Sequence, residues 1–337
     1  MKSAKLMEAG RIVLCEEAKP EIQSATDVLV EVKAVGICGT DLHVFRGERK
    51  DVEFPRVMGH ELSGIVRETG SGVSRVKKGD RVVLDPVFAC GTCKTCQKGH
   101  PNVCADVKCY GVQMDGGFQE YIVTGEEHLY PFSETISFEQ AALAEPFSIA
   151  SNIVARTQIT EEDSVVILGS GTIGLCVMQA AKGLGARVLI SDVEDAKLKK
   201  ALEMGADVTV NSRKASLAEA VEQFCPGGAD VVIDAVGVAP LTEQTLDLTA
   251  PLARIAVIGF DEKPAQIPPV KITKKELTLV GSRMNCHRFP EVMKWLEEGR
   301  INADQMITRR YPLDEIQKAF EETLSDGREN VKTLILL

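Results

Sequence analysis

The chain has 337 residues, 44% hydrophobic and 26% charged, the proportions of a soluble globular protein with room for two domains. Acidic residues outnumber basic ones by 49 to 39, a net charge of −10, which disfavours nucleic acid as the main partner because phosphate binding needs a basic face. No apolar run approaches the roughly 20 residues of a membrane span. The opening MKSAKLMEAGRIVLCEEAKP lacks a signal-peptide core, so the ten cysteines point to a reducing, cytoplasmic setting where clustered thiols bind metal rather than pair.

Before about residue 150, short β-like runs such as DVLVEVKAVG, ELSGIVRETG and DRVVLDPV are broken by Gly, Pro and Asp, which predicts an irregular β-rich domain over 1–149. Two fragments there carry metal-ligand residue types: GICGTDLH, with Cys38, Thr40, Asp41 and His43, and GHE, with His60 and Glu61. Singly, each has an ordinary reading as a small core cysteine or a satisfied buried histidine. The run CGTCKTCQKGHPNVC is different. Cys90, Cys93, Cys96 and Cys104 can reach one tetrahedral zinc without a large fold around them, and four thiolates leave no position open for a substrate. Farther on, LAEPFSIA sets Glu145 in apolar surroundings, where a turn-capping role is the plain alternative to metal binding.

After residue 160 the texture changes. SVVILGSGTIGLCVMQAAKGLGARVLISD reads strand, glycine turn, helix, strand, and ADVVIDAVG and ARIAVIGF are further wholly apolar runs separated by helical segments. That alternation predicts a doubly wound parallel sheet over 150–282. Gly169, Gly171 and Gly174, with Thr172 and Ile173 between them, have the spacing of a pyrophosphate-binding turn whose helix offers free N–H groups to phosphate. Asp192 ends the next strand about twenty residues on, where a carboxylate takes the ribose hydroxyls and repels a 2′-phosphate, favouring NAD over NADP. A helix-capping role for Asp192 is the alternative, and Lys197, Lys199 and Lys200 keep NADP in view. Gly237, Ile258 and Gly259 end later strands at the edge where a dinucleotide would lie. The remaining segment, 283–337, reads as two helices, FPEVMKWLEEGRI and LDEIQKAFEETL, and a closing β-like VKTLILL.

GICGTDLH, GHE, the four-cysteine lobe, DGGF and the late glycine turn occur in the order found in the zinc-containing medium-chain alcohol and polyol dehydrogenases of the sorbitol dehydrogenase type. The chain resembles that family over essentially its whole length. The resemblance implies an α/β protein: a GroES-like β-rich catalytic domain, a Rossmann domain that binds NAD, and a tail returning to the first domain. It also implies two zinc ions per chain, a small-molecule substrate, and a homo-oligomer, dimer or tetramer.

Carried over residue by residue, Cys38 and His60 match ligands of the catalytic zinc. Glu61 matches a residue that ligates in some members and stands just outside the ligand set in others. Glu145 stands where simple alcohol dehydrogenases have cysteine and sorbitol-type enzymes have glutamate, which pulls the expectation towards polyols. Thr40 and His43 match a proton relay, and the four lobe cysteines match the structural zinc site. GVQMDGGFQEY, AEPFSIA and GSRMNCHRFPEVMKWLEEGRI further resemble bacterial hexonate dehydrogenases, the L-galactonate and L-gulonate 5-dehydrogenases, and a starvation-sensing relative of them. Arg283 matches an arginine facing substrate and cofactor, able to pair with a carboxylate, hydroxyls or a phosphate. Asn285 is a candidate hydroxyl contact.

The expected activity is therefore NAD-linked oxidation of a secondary hydroxyl of a sugar acid, with a neutral polyol or L-threonine as alternative substrates. A non-catalytic zinc ribbon would account for the lobe alone, and a quinone-reductase-like member of the superfamily would carry no zinc.

Overall fold

The computed structural model describes residues 1–259, 262–326 and 329–337. It divides into two compact units: one of Met1–Glu145, Asn285–Glu297 and Ala303–Leu337, the other of Pro146–Met284 and Glu298–Asn302. The division falls inside the Ala144–Thr157 helix, directly after Glu145.

The first unit is built on a mixed sheet. Its main path runs Leu129–Pro131, Arg81–Leu84, Glu61–Thr69, Asp27–Ile37, Lys332–Leu336, Ile307–Pro312, with Tyr121–Gly125 also paired to Asp27–Ile37. All pairings are antiparallel except that of Ile307–Pro312 with Lys332–Leu336. The closing VKTLILL thus adds a strand beside one of the earliest in the chain, and this tail belongs to the first unit. Val30, Val35, Leu62, Phe118, Phe320 and Ile335 are fully buried in a continuous core.

The second unit is a six-stranded sheet in the order Val208–Asn211, Arg187–Asp192, Ser164–Leu168, Ala229–Asp234, Thr249–Val257, Thr278–Gly281. Every pairing is parallel. All five residues of SVVIL are buried, as expected of a strand covered on both faces. The order reverses direction at Ser164–Leu168, and the crevice beyond the carboxyl ends of the strands at such a switch is where ligands bind in this architecture. The β-rich and doubly wound classes expected from the sequence are both present.

Two glycines at strand ends show how tightly that crevice is drawn. Gly237 has φ +78°, and a Cβ there would stand 2.1 Å from the Cα of Gly259. Asp234, wholly buried, fixes the turn by accepting from the Gly237 N–H at 2.8 Å and the Thr242 hydroxyl at 2.7 Å. Gly237→Ala meets both a left-handed backbone and a backbone collision. Strain and overpacking together cost roughly 2–4 kcal/mol. The expected outcome in differential scanning fluorimetry is a fall of about 5–10 °C in the unfolding temperature. An unchanged temperature would contradict the close approach.

Candidate metal and dinucleotide sites

In the lobe, the four thiols converge. Sγ–Sγ separations are 3.4 Å for Cys93–Cys96, 3.5 Å for Cys90–Cys104 and 3.8 Å for Cys93–Cys104. Four sulfurs about 2.3 Å from a tetrahedral zinc would stand roughly 3.8 Å apart, whereas a disulfide would need about 2.05 Å. Backbone N–H groups already point at the sulfurs: Cys93 to Cys90 at 3.3 Å, Asp106 to Cys104 at 3.4 Å, Cys90 to Cys104 at 3.5 Å. Such donors favour thiolate. Beside the Thr95 hydroxyl above all, the Cys93 thiol is pulled down to about 5. The donor set, spacing and hydrogen bonding fit a closed zinc site.

The second cluster is assembled from distant residues. Cys38, His60 and Glu61 bring one ligand atom each within 4.8 Å of one another. Cys38 precedes the short Gly39–Phe45 helix, and its N–H donates to Asp41 Oδ2 at 2.8 Å. The other oxygen of the wholly buried Asp41 accepts from the Gly59 N–H at 3.2 Å, tying GICGTDLH to GHE. His60 is buried, and its Nδ1 has no hydrogen-bond partner among the described residues; Asp41 Oδ1 lies 3.6 Å away. Burial alone would push this imidazole down, yet the Asp41 and Cys38 charges outweigh it and hold His60 well above the ordinary histidine range. Groups that draw a proton so strongly would equally draw a dication. An unsatisfied imidazole nitrogen beside a thiol and a carboxylate fits a borderline-soft metal such as zinc, and the set leaves room for a further oxygen ligand.

Glu61 is one of the most deeply buried carboxylates, at 1% exposure. Its two oxygens both accept from the equally buried Lys332 Nζ, at 2.6 and 2.7 Å. Glu145 is not one of the close-set triad but is near enough to feel it. Burial pushes its carboxyl up to about 7; His60 opposes the rise and Glu61 adds to it. Cys109 is a further neighbour, its thiol driven up to about 12 by burial within the field of His60, Glu145, Asp41 and Cys38. Thr40 and His43 occupy one turn of the Gly39–Phe45 helix, three residues apart and therefore on one face. Thr40 is half-buried and His43 exposed, its Nδ1 against Glu48 Oε2. Asn285 is buried at 1% and its amide donates to Asp85 Oδ1 at 3.0 Å, so the structure places it as a brace for Asp85.

In the second unit, Gly171 caps the Thr172–Gly183 helix, and a Cβ on it would meet nothing within 4 Å. Gly169 has φ +98°, and a Cβ on Gly174 would stand 2.0 Å from Gly169 O. Open space at the middle glycine and closure at the other two fit a pyrophosphate against the helix N-terminus. Asp192 Oδ2 accepts from the Ser170 N–H at 2.8 Å and hydroxyl at 2.9 Å, while Oδ1 accepts from Val193 and Glu194. Burial would raise its carboxyl, but the Ser170 bonds and the Lys197 charge hold it below the usual range. Thr172 and Ile173 open the helix, half-buried Ile258 and exposed Gly259 follow the Thr249–Val257 strand, and exposed Arg283 follows Thr278–Gly281.

Residues the sequence reading passed over are Lys332, Asp234 and Asp85, together with the bracing role of Asp41. A lysine inside the apolar VKTLILL was the one available signal, since a strand lysine that is buried needs an anionic partner.

Comparisons with known proteins place the chain in a family. Residues 24–134 match the alcohol dehydrogenase GroES-like domain and residues 172–298 match zinc-binding dehydrogenase. The chain is 36% identical over 93% of its length to D-arabitol-phosphate dehydrogenase of Enterococcus avium, covering 91% of that protein. It is 31% identical over 98% of its length to L-galactonate-5-dehydrogenase of Escherichia coli K12, covering 99% of it. Among solved structures, the NADH complex of a short chain alcohol dehydrogenase (rspB) from E. coli CFT073 superposes with TM-score 0.95 at 35% identity, covering 100% of this chain and 99% of that one.

The raised Glu145 has a consequence for the zinc-free protein. Its pKa is about 7 folded and 4.5 as an ordinary carboxyl, so the folded state holds the proton more tightly. The contribution of this group to stability is then fully present below pH 4.5 and is lost as pH rises to 7, by on the order of 3 kcal/mol. Urea titrations of zinc-stripped protein should show this decline, and Glu145→Gln should remove it. An E145Q variant with the same slope would contradict the assignment.

Proposed function

The chain belongs to the zinc-type medium-chain alcohol and polyol dehydrogenases, and from that premise we propose that it oxidises a secondary hydroxyl of a C6 sugar acid to a keto acid, with NAD as hydride acceptor. The observation that carries the reading is the convergence of Cys38, His60 and Glu61, with buried Glu145 nearby. When bound, zinc supplies a Lewis acid that lowers the pKa of a coordinated hydroxyl, and the nicotinamide supplies the hydride acceptor.

The chain's own groups do the rest. Asp41 orients the cluster by fixing both the Cys38 and Gly59 backbones. The Thr40 hydroxyl takes up the substrate proton as it hands on its own, and exposed His43, held by Glu48 and Arg46, passes a proton to water. Buried Glu145, close enough to feel His60 and Glu61, is the further oxygen donor that the cluster leaves room for. Asp192, aligned by Ser170, accepts from the ribose hydroxyls and disfavours a 2′-phosphate, which supports NAD.

For the substrate, two of the similar enzymes are named for anionic sugar derivatives, and others for neutral polyols. Arg283 is the residue assigned to that anion: its guanidinium can bind a carboxylate bidentately, whereas a neutral polyol would use it only as a hydroxyl donor.

An NAD⁺ reduction screen across hexonates, D-arabitol phosphate, pentitols, hexitols and L-threonine tests the proposal. The expected result is the highest kcat/KM on a hexonate, and a loss of about 10–100-fold on that substrate in Arg283→Ala, the size of a charged hydrogen bond. Turnover of neutral polyols with none of any hexonate would overturn the sugar-acid assignment.

A further inference from the structure

The chain that leaves the Thr278–Gly281 strand turns at once. Ser282 carries the ladder on, donating its N–H to Val257 O at 3.1 Å, but Met284 has φ +51°, in the left-handed region. An L residue gains nothing there, and methionine has no polar group with which to fix such a turn locally. The turn is held from another element. Asn152, 2% exposed, brings its side-chain amide from the Ala144–Thr157 helix onto this segment. Its Nδ2 stands 3.1 Å from Ser282 Oγ, 3.1 Å from Met284 O and 3.5 Å from Arg283 O. All four residues belong to the second compact unit.

Exposed Arg283 therefore lies between the two acceptors that the amide holds most closely. An amide nitrogen has two protons, and the Ser282 hydroxyl and the Met284 carbonyl take one each. A carbonyl can only accept, so this position calls for a donor. A carboxylate of the same shape would set oxygen against oxygen. Glu145 stands on the same helix, on the same face about two turns earlier. We propose that Asn152 is a positioning residue for Arg283: by fixing the backbone on both sides of it and holding the left-handed turn at Met284, it sets the direction in which the guanidinium meets the anionic group of the substrate. The inference rests on reading Arg283 as the residue that takes that anion.

Limited trypsin digestion of the folded full-length protein reads the turn without reference to turnover. The bond after Arg283 is cut only when the segment opens, and the rate follows the population that does so. Asn152→Ala should raise the rate of that cut by about tenfold, the worth of one or two neutral hydrogen bonds, with cuts elsewhere unchanged. Asn152→Asp, of the same shape but without the amide donors, should do the same. Kinetics read the guanidinium. N152A should raise KM for a hexonate by about tenfold and leave kcat within about twofold, because contact with a carboxylate away from the reacting carbon is made in ground and transition state alike. In an Arg283→Ala background, N152A should add nothing further to KM.

A parent-like rate of cutting after Arg283 in both N152A and N152D overturns the inference. So does an N152A effect that falls on kcat alone, or that adds in full to that of R283A, since a general loss of stability would do either. If N152A does not fold, N152D and Ser282→Ala, which removes one of the two closer acceptors, decide it in the same assays. R283A separates the two levels of the argument. If it leaves the hexonate KM unchanged, the reading of Arg283 as the anion's partner fails and this inference with it. If it raises KM while the Asn152 variants do not, only the role of Asn152 is wrong.

Discussion

The register of two antiparallel strands carries the cluster of Cys38, His60 and Glu61. Gly36 lies opposite Glu61, so the end of Asp27–Ile37 delivers Cys38 to the point where His60 leads into the Glu61–Thr69 strand. A slip of one residue would turn Glu61 to the other face of the sheet and dissolve the cluster. The site is therefore no more plastic than the sheet that holds it. Asp41 reinforces the register from outside the ladder by bonding the backbone on both sides of the gap.

Charge sets the second constraint. A buried ion pair repays its desolvation only when geometry and further hydrogen bonds are good, and removing one partner costs about 3–5 kcal/mol. Glu61–Lys332 meets that condition with two short contacts and a third to Ile37 O. Burial raises the Glu145 carboxyl to about 7, with His60 and Lys332 opposing the rise. The two carboxylates thus answer to different neighbours, Glu61 to a fixed ammonium at hydrogen-bond distance and Glu145 chiefly to burial. The thiolate lobe is a separate matter. Its four sulfurs close on one another, an arrangement that leaves no position open to a substrate.

The parts of this arrangement that could be read from the sequence are those whose partners are near in the chain. The lobe spans residues 90–104, and the glycine turn and Asp192 fall within one strand–helix–strand unit, so spacing alone carried them. The alternation of apolar runs with helices gave the parallel sheet for the same reason. Cys38, His60 and Glu61 lie in fragments that are unremarkable one at a time, and family resemblance brought them together. The pair Glu61–Lys332 is 271 residues apart and Asn285–Asp85 is 200 apart. Local pattern cannot specify contacts that the sheet order creates.

The central claim is that the chain holds two zinc centres of different kinds, one of four thiolates and one of a single thiolate with nitrogen and oxygen. Zinc K-edge X-ray absorption on the fully loaded protein tests it most directly. The account predicts an average of about 2.5 sulfurs per zinc, four on one ion and one on the other, at about 2.3 Å, with a nitrogen and oxygen shell near 2.0–2.1 Å. A spectrum of about four sulfurs per zinc with no lighter shell would mean that the lobe alone binds metal, and would contradict it.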